Sequence, residues 1–531
     1  MVARPVTVND VLGGHVALDV ECLDRIYLNG YVPTLQVPGQ VVTFMTRHLG
    51  LPIPSPAVLE RLGTRFRRAV EAFCRDNEVP VVRFGKADRK IEVMRPHLER
   101  AAAAGGSRVA AVGVAQEFAT VVTATERDRS NGIPWFSFAK ADRRVTCYYF
   151  YLWDDDFGPA FIKVCAYFPY PMKVWLNGHE WAKRQATKAG IGYTALANGF
   201  ASAADPAGLQ AICDRLGPGT IRVFCERWWA RLPLPLTVAD RAAGYWWDVS
   251  MRQVEVSRTL VFDAPRRGRA FFEALVADNL DLGRPDTVEL IFGRRIGSTT
   301  TGVFATKVVT RGVDVTVNAF YKHSRIKQYL KEGRALRIET VVNSPTDLGV
   351  KRRLEHLDEL HAKARDVNRR LLDTERVGQG CVLASPAFAR VASPSLEDGQ
   401  RAPALRFGDP RVMALAGALV ITLSAVTGFT NRSLRAHVAG LLGAPYTRGQ
   451  MTYDLRRLRL KGLIARQPHS NTYRLTPDGL RVALFYVKVH DRLLTPLIGA
   501  DTPPAPLELR HALKTIDRHL ADYTARARIG N

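Results

Sequence analysis

The segment from residue 430 to 486 constrains the fold of this 531-residue chain more tightly than any other part. Apolar residues recur there first at helical spacing, then at strand spacing, then at helical spacing again, with turn residues between the blocks. Gly462 and Pro477 stand where these residue types favour the end and the first turn of a helix. The predicted elements are helices at 430–442 and 448–462, strands at 463–467 and 472–476, and a helix at 477–494.

This order resembles the winged-helix domains of bacterial regulators of the MarR and ArsR kind. The resemblance rests on L-x-x-L-x-L-x-G-L-I (455–464) followed by Y-R-L-T-P-D-G (473–479), and it covers about 70 of the 531 residues. It implies that the second helix enters the major groove of DNA. The alternative is a winged helix that contacts only protein.

The spacing of leucines in the second helix predicts which side chains are left for DNA. Leu455, Leu458 and Leu463 bury one side, so polar side chains that can bond base edges and phosphates lie on the other sides. The predicted contacts are Arg448, Gln450, Thr452, Tyr453, Arg456 and Arg459 on the helix, and Arg466, His469 and Asn471 on the wing.

The net charge of +24, with an isoelectric point near 10.0, points to a polyanionic partner. Such a surface attracts nucleic acid or an anionic membrane. The alternative is a GC-rich codon bias, but bias that exchanges Lys for Arg does not explain the shortage of acids. A chain of this length predicts two to four domains.

The seven cysteines are scattered and form no CxxC pair, which argues against a zinc ribbon and fits a reducing cytoplasm. The N-terminal residues lack the charged-then-apolar pattern of a signal peptide. The most apolar run, 412–426, is shorter than the roughly 20 residues of a membrane span, so it predicts a buried helix. We expect a cytoplasmic bacterial protein that makes no membrane contact.

A second basic segment, residues 320–340, contains six Lys and Arg residues. NAFY (318–321) and ALRIETVV (335–342) predict strands, and KEGR (331–334) predicts a turn. Alternation places Arg337 and Glu339 on one face of the second strand. The predicted phosphate contacts in and around this basic connection are Lys322, Arg325, Lys327, Lys331 and Arg337.

Tyr321-Lys322 and Arg337-Ile338-Glu339 resemble, over about 25 residues, the catalytic domain of rolling-circle replication initiators of phages and plasmids. The resemblance implies that Glu339 helps to hold Mg²⁺ while a tyrosine hydroxyl attacks a phosphodiester. Tyr321 and Tyr329 are the nearest candidates. The chain departs from that family in having no HxH motif. The alternative is that Glu339 pairs with Arg337 or Arg334.

Other acids predict a metal site only weakly. Asp154, Asp155 and Asp156 end a strand, where nucleases place metal ligands, but Asp-rich hairpins are usually turns. Asp19 and Glu21 lie two apart on a predicted strand and so share a face. The predicted ligand set is Asp19, Glu21, Asp154 and Glu339, with Glu226 as a further candidate and Mg²⁺ as the cofactor of a nuclease.

Aromatic residues crowd the segment 148–181 and recur as Trp228, Trp229, Trp246 and Trp247. Aromatic platforms stack unpaired bases, but aromatic side chains are also the ordinary filling of a sheet core.

Together these features predict an α+β protein whose large mixed body contains an antiparallel sheet. The predicted divisions are an N-terminal α/β region 1–144, a basic sheet domain 145–378 ending in a long helix (351–376), a linker 379–410, a winged helix 411–500 and a tail 501–531. The predicted function is nucleic-acid binding, with DNA ahead of RNA, in plasmid or mobile-element replication or recombination. The alternatives are a metal-dependent nicking or transposase-like nuclease and a non-catalytic binder of structured RNA. A homodimer is left open.

Overall fold

The computed structural model describes residues 12–127, 135–278, 291–292, 294, 300–311, 314–379, 386–397, 399–422, 429–467, 470–490, 515 and 518–519. The chain divides into two units. The sheet unit comprises residues 10–273 and 301–369, and the C-terminal unit comprises 1–9, 274–300 and 370–531. The α+β class predicted from the sequence is confirmed.

An eleven-stranded sheet is the frame of the sheet unit. Its order is β10-β11-β12-β13-β9-β1-β6-β5-β4-β3-β2. The β2–β3 pair is parallel, and the other neighbours are antiparallel. The strands of the unit, including the separate β7–β8 hairpin, are β1 Val16–Tyr31, β2 Val81–Arg83, β3 Arg108–Arg127, β4 Trp135–Asp154, β5 Gly158–Cys165, β6 Met172–Asn177, β7 Tyr193–Leu196, β8 Gly199–Ala203, β9 Asp248–Phe262, β10 Val303–Arg311, β11 Asp314–Lys322, β12 Ser324–Lys331 and β13 Ala335–Val342.

Helices begin where the sequence supplies a cap or a proline at the first turn. Asn177 caps one helix by accepting from two backbone N–H groups, and Thr237 forms a capping box with Asp240. The helices are α1 Pro38–Thr43, α2 Pro56–Asp76, α3 Lys90–Ala104, α4 Gly178–Lys188, α5 Pro206–Asp214, α6 Pro218–Arg231, α7 Val238–Ala242, α8 Pro265–Asp278 and α9 Leu357–Gln379, with short 3₁₀ or π turns at Pro33–Leu35, Phe44–His48, Pro345–Leu348 and Leu354–His356.

The two faces of the sheet differ in chemistry. On the apolar face, Val256 and Ile338 are fully buried. That face carries α2, whose Phe66 ring meets Tyr148 at 5.7 Å, and α9, whose Asn368 accepts from Thr340 at 2.7 Å. The opposite, polar face carries alternate residues of the same strands. Alternation of strand side chains thus separates an apolar core from a second face, which is polar around β1, β9 and β13 but apolar at β3 and β4, where Met94 and Leu98 of α3 pack on it.

From Pro410 to Val489 the C-terminal unit has the order helix–strand–helix–helix–hairpin–helix. Its three-stranded sheet has the order β16-β18-β17, and its core includes Leu415, Leu434, Leu455 and Val482. The elements are α10 Pro386–Ala392, β14 Ser395–Glu397, β15 Gln400–Ala402, α11 Pro410–Thr422, β16 Phe429–Thr430, α12 Asn431–Leu442, α13 Arg448–Leu460, β17 Ile464–Arg466, β18 Thr472–Leu475 and α14 Pro477–Val489.

Two predicted divisions and one predicted connection differ from the structure. The boundary after residue 144 lies inside β4, so one sheet joins the two predicted regions. The predicted basic connection contains strand β12, which pairs with β11 and β13. The predicted linker 379–410 contains α10 and the β14–β15 hairpin. The predicted tail lies almost wholly outside the described residues.

The apolar run at 412–426 forms most of α11, as far as residue 422. Val412, Leu415 and Leu419 are buried in the core of the C-terminal unit, as the sequence predicts. Among the residues with described structure, no helix is both long and apolar enough to cross a bilayer.

Truncating a buried side chain on the apolar face of the sheet should cause a large loss of stability. Phe150 is fully buried on the apolar face of β4, so Phe150→Ala should lower the free energy of unfolding by about 3–5 kcal/mol. All eight tryptophans lie between residues 135 and 247, so tryptophan fluorescence during urea unfolding reports on the sheet unit alone. Phe118→Ala is the matched control, since Phe118 is 77% exposed on β3. Equal losses in both variants would contradict the assignment of the core.

Candidate functional site

The solvent side of α13 gathers the predicted DNA contacts. Met451, Leu455 and Leu458 bury the inner side of this helix in the core. The capping box of Thr447 and Gln450 fixes its first turn. The exposed residues are Arg448, Gln450, Thr452, Tyr453, Arg456 and Arg459, the six that the leucine spacing predicts.

A buried carboxylate fixes α13 to the rest of the C-terminal unit. Asp454 is fully buried and accepts from the Arg411 guanidinium of α11 at 2.8 Å and from the Tyr446 hydroxyl. Burial and the adjacent carboxylate raise the pKa of Tyr446, so its hydroxyl stays a donor at neutral pH. Because a buried charge without a partner is costly, this cluster holds the helix in one orientation.

Several predicted contacts also have partners inside the protein. The Gln450 side chain accepts from the Thr447 N–H at 2.8 Å, and the Thr452 hydroxyl accepts from Asn431 at 3.0 Å. Arg456 donates to Gln400 of β15 at 3.1 Å. Gln450 and Thr452 therefore hold the helix in place as well as facing solvent.

The wing is shaped by its own residues. Arg466 donates to the Ser470 carbonyl at 2.9 Å and to the Asn471 side chain at 2.9 Å. These bonds close the turn between β17 and β18. His469 lies outside the described residues.

The polar face of the sheet unit holds a buried cluster centred on Arg337. Its guanidinium is fully buried and donates to Asp24 of β1 at 2.8 Å, to Thr259 of β9 at 2.5 Å and to Glu339 at 3.2 Å. It also lies 2.6 Å from Nε2 of His179. Burial and Arg337 lower the pKa of His179, so the imidazole is neutral and Nε2 accepts from Arg337.

Glu339 is tied to its neighbours on β12 and β13. Besides Arg337, it accepts from Lys327 at 2.8 Å and from the Tyr329 hydroxyl at 2.7 Å. Burial opposes its ionisation, but Arg337 and Lys327 keep its pKa below the ordinary value. The structure therefore contains the ion pair between Glu339 and Arg337, which the sequence predicts as the alternative to metal binding.

Three carboxylates of this cluster could hold a metal ion. Oxygens of Asp24, Glu255 and Glu339 lie within 4.8 Å of one another, and all three residues are buried. One buried oxygen of Glu255 has no hydrogen-bond partner, although Arg25 lies 3.6 Å away. Against this, Arg337 and Lys327 already neutralise two of the acids. Burial and the Asp24 charge raise the pKa of Glu255, which favours its protonated form. The charges of the three carboxylates are thus compensated without a bound metal ion.

The four predicted metal ligands lie in three separate places. Asp154 accepts from Arg227 at 2.7 Å and from the Trp228 indole at 2.8 Å. Asp19 pairs with Arg258 at 2.7 Å, and Glu21 accepts from Arg365 at 2.5 Å and Arg369 at 2.9 Å on the apolar side. Glu339 lies on the polar face, and the further candidate Glu226 pairs with Arg241. The acids that join Glu339 are Asp24 and Glu255, which no local sequence pattern singles out.

The predicted nucleophile and carboxylate do not meet. Tyr321 pairs with Ser324, and alternation along β11 and β12 places its buried ring on the apolar face. Glu339 lies on the polar face, so the Tyr321 hydroxyl and this carboxylate are on opposite sides of the sheet. Tyr329, the other candidate, bonds Glu339, and burial and that carboxylate raise the pKa of its hydroxyl.

The predicted phosphate contacts at 322–337 differ in accessibility. Arg337 has no exposed surface, which removes it from any phosphate-binding surface in this conformation. Lys327 is mostly buried against Glu339. Arg325, Lys327 and Lys331 alternate on the polar face of β12 and stay partly exposed, and Lys322 is partly exposed at the end of β11. Burial and the nearby Arg337 lower the pKa of Lys331.

Comparison of the chain with protein-family models, with curated proteins and with solved structures returns no match. The function is therefore argued from the chemistry of these residues.

Replacing Arg337, the central cation of the cluster, should strongly lower the stability of the sheet unit. Arg337→Met leaves Asp24 and Glu339 buried without their main partner, which should cost about 3–5 kcal/mol of unfolding free energy. Tryptophan fluorescence in urea measures this in the sheet unit, with Arg61→Met on the exposed side of α2 as the control. Adding Asp24→Asn to Arg337→Met should cost less than the sum of the single changes. Strict additivity would contradict the proposed coupling.

Glu255 predicts a pH dependence of stability. Its pKa is raised, so the folded protein keeps this proton to a higher pH than the unfolded chain, whose glutamates titrate near about 4.3. As the pH rises from about 4.3 through the folded-state pKa, the wild type should lose stability relative to Glu255→Gln. The measurement is the thermal midpoint by tryptophan fluorescence across a pH series, with exposed Glu92→Gln as the control. A constant difference at every pH would refute this prediction.

Proposed function

We propose that this chain binds duplex DNA through α13 and the β17–β18 wing. The single observation that carries the proposal is that one fixed helix presents six exposed polar side chains on its outer side while its leucines fill the core. A helix of 13 residues is about 20 Å long, and its width suits the roughly 12 Å major groove.

The side chains on α13 match the chemistry of base edges and phosphates. Arginine forms paired hydrogen bonds with guanine, and arginine, tyrosine and threonine contact phosphates. Arg448, Tyr453 and Arg459 are exposed on the side that would face the groove. Arg456 could exchange its exposed bond to Gln400 for a phosphate at little cost, since exposed polar contacts contribute little.

The charge of α13 supports a phosphate partner. The helix carries four arginines and one acid, and that acid, Asp454, is buried and paired with Arg411. The excess positive charge is therefore left on the solvent side.

Fixed orientation matters as much as charge. The capping box at Thr447 and the Asp454 cluster hold α13 before any ligand arrives. A helix that is already ordered loses little conformational entropy on binding, which favours affinity.

Nicking remains a prediction from the sequence that we do not carry into the proposal. Tyr321 and Glu339 lie on opposite faces of the sheet, and the carboxylate cluster is buried and compensated. The plasmid or mobile-element role, the homodimer and structured RNA as the ligand also remain predictions. A competition arm with hairpin RNA tests the last of these.

The proposal predicts that removing two arginines from α13 weakens duplex binding. The double change Arg456→Ala with Arg459→Ala should cost roughly 1–3 kcal/mol for each arginine that reads a base. It should also flatten the slope of log affinity against log salt by about 1 for each phosphate that the variant no longer binds. Fluorescence anisotropy with a labelled mixed-sequence duplex at several salt concentrations measures both quantities.

The matched control removes the same charge elsewhere in the C-terminal unit. Arg390 and Arg481 are exposed and both pair with Asp478, so Arg390→Ala with Arg481→Ala should leave the affinity and its salt slope nearly unchanged. Equal losses in the two double variants would mean that total charge, not α13, governs binding. An unchanged affinity in the α13 variant would sink the proposal.

A further inference from the structure

A row of aromatic rings crosses the polar face of the sheet. Tyr27 on β1 lies opposite Trp175 on β6, which lies opposite Phe161 on β5, which lies opposite Tyr151 on β4. The Phe161 and Trp175 rings stack on each other, with 7° between their planes and 5.8 Å between centroids, and Phe161 also packs against the core around Tyr149 and Tyr151. Tyr27, Trp175 and Phe161 remain partly exposed, whereas Tyr151 is buried.

Cations flank this aromatic row. Two residues further along the same strands, Lys173 on β6 lies opposite both Asn29 and Lys163. Arg252 places its guanidinium 5.6 Å from the centre of the Tyr27 ring. Arg25, two residues before Tyr27, has a side chain that is 50% exposed. The lysine positions run parallel to the rings at a separation of about 7 Å, the length of two strand residues.

Lys173 is a cation that the surrounding protein does not neutralise. It donates to the neutral Asn29 side chain. Burial and the neighbouring Arg252 and Lys163 lower its pKa to about 8. An anion bound at this point would stabilise the charged form of Lys173.

The acids near the aromatic row are already compensated. Glu117 bonds to Lys90, Lys163 and Tyr149. Burial and the Asp24 charge raise the pKa of Glu255, which favours its uncharged form and leaves Arg25, 3.6 Å away, only weakly engaged. The field over the exposed rings is therefore set by Lys173, Arg252 and Arg25.

We propose that this part of the polar face binds an unpaired nucleic-acid strand, with bases stacked on Tyr27 and Trp175 and phosphates held by Lys173, Arg252 and Arg25. Base–aromatic stacking is tolerant of sequence, and cations track the backbone in such sites. The site is separate from α13, and the inference does not rest on the proposed duplex binding.

Duplex DNA does not fit this surface, because paired bases stack on each other and offer no free ring face along the helix. Neighbouring strands are about 4.8 Å apart, so Tyr27 and Trp175 on adjacent strands accommodate one or two bases. A neutral oligosaccharide could also stack on the rings, but it would gain nothing from the three cations. Charge complementarity therefore selects a polyanion with unpaired bases.

The test uses the full chain and its own fluorescence. All eight tryptophans lie in the sheet unit, so quenching of tryptophan emission by an oligothymidine of about 15 nucleotides reports binding at this unit and not at α13. Anisotropy of the labelled oligomer gives the affinity. Trp175→Ala should weaken binding roughly ten- to a hundredfold, whereas Trp175→Phe, which keeps a ring, should bind within a few-fold of wild type.

Matched variants separate binding from folding and from duplex affinity. Phe118→Ala removes an exposed ring from the opposite face and should leave strand binding unchanged. Lys173→Gln with Arg252→Gln should flatten the salt dependence of strand binding. The Trp175→Ala variant should keep its duplex affinity, and the α13 double variant should lose duplex affinity while keeping that for the single strand. Failure of one proposal is thus distinguishable from failure of the other.

The strand could be DNA or RNA, so an oligouridine of equal length is the second arm. A weaker affinity of Trp175→Ala for either strand, measured by anisotropy of the labelled oligomer, supports the site, and any preference between the strands identifies the sugar. Unchanged affinity in Trp175→Ala, or binding of a neutral oligosaccharide alone, would overturn the proposal. Circular dichroism of each variant shows whether a loss comes from unfolding, and a loss shared by Trp175→Ala and Trp175→Phe with intact folding also counts against stacking.

Discussion

The Arg337 guanidinium is the contact on which the sheet unit depends. It joins Asp24, His179, Thr259 and Glu339, which belong to β1, the first turn of α4, β9 and β13. Burying a guanidinium is costly, and that cost is recovered only when all its partners are in place. A pairing error by one residue would turn Arg337 or Glu339 towards the aliphatic core. The network therefore specifies the register of the central strands more than it adds net stability.

The same alternation that builds the core produces the polar face. Val256 and Ile338 lie on the apolar face of the sheet. Their neighbours along the same strands point to the polar face; these are Glu255, Ser257, Arg337 and Glu339. Where acidic and basic side chains pair with one another, as around Arg337, the polar face is buried from solvent. Where they do not balance, as around Lys173 and Arg252, aromatic rings stay partly exposed. The sheet thus carries a structural polar cluster and a candidate binding surface side by side.

Local patterns in the sequence predicted the helices and strands between residues 430 and 489 and the shared face of Arg337 and Glu339. The exposed set on α13 follows from leucine spacing alone, and the buried α11 follows from the length of its apolar run. The helix predicted at 351–376 is present as α9 and the 3₁₀ turn before it. Each of these features depends on residues within one or two helical turns or within one strand. Over such distances the periodicity of apolar side chains determines which face is buried.

Local periodicity could not predict contacts between segments that are far apart in the sequence. Asp24 lies 313 residues from Arg337, and the irregular pairing of β1 with β9 between Leu23 and Ile26 shifts its alternation, so its face could not be read from spacing. The hypothesis that joins Tyr321 to Glu339 requires 322–334 to be a connection without a strand. Because Ser324–Lys331 is a strand, register places the two residues on opposite faces. The cross-strand row of Tyr27, Trp175 and Phe161 likewise exists only through pairing of separate strands.

Total charge is a weak guide to where a polyanion binds, because internal pairs consume many arginines. Glu21 alone engages Arg365 and Arg369, and Asp154 and Asp156 engage Arg227. Those cations contribute little to the field outside the protein. Within the described part of the chain, the arginines on the outer side of α13 and the cations Lys173 and Arg252 have no such carboxylate partners, and Arg25 makes only a weak approach to Glu255. The two proposed surfaces differ in geometry: an exposed helix face suits a groove, and partly exposed rings beside cations suit unpaired bases.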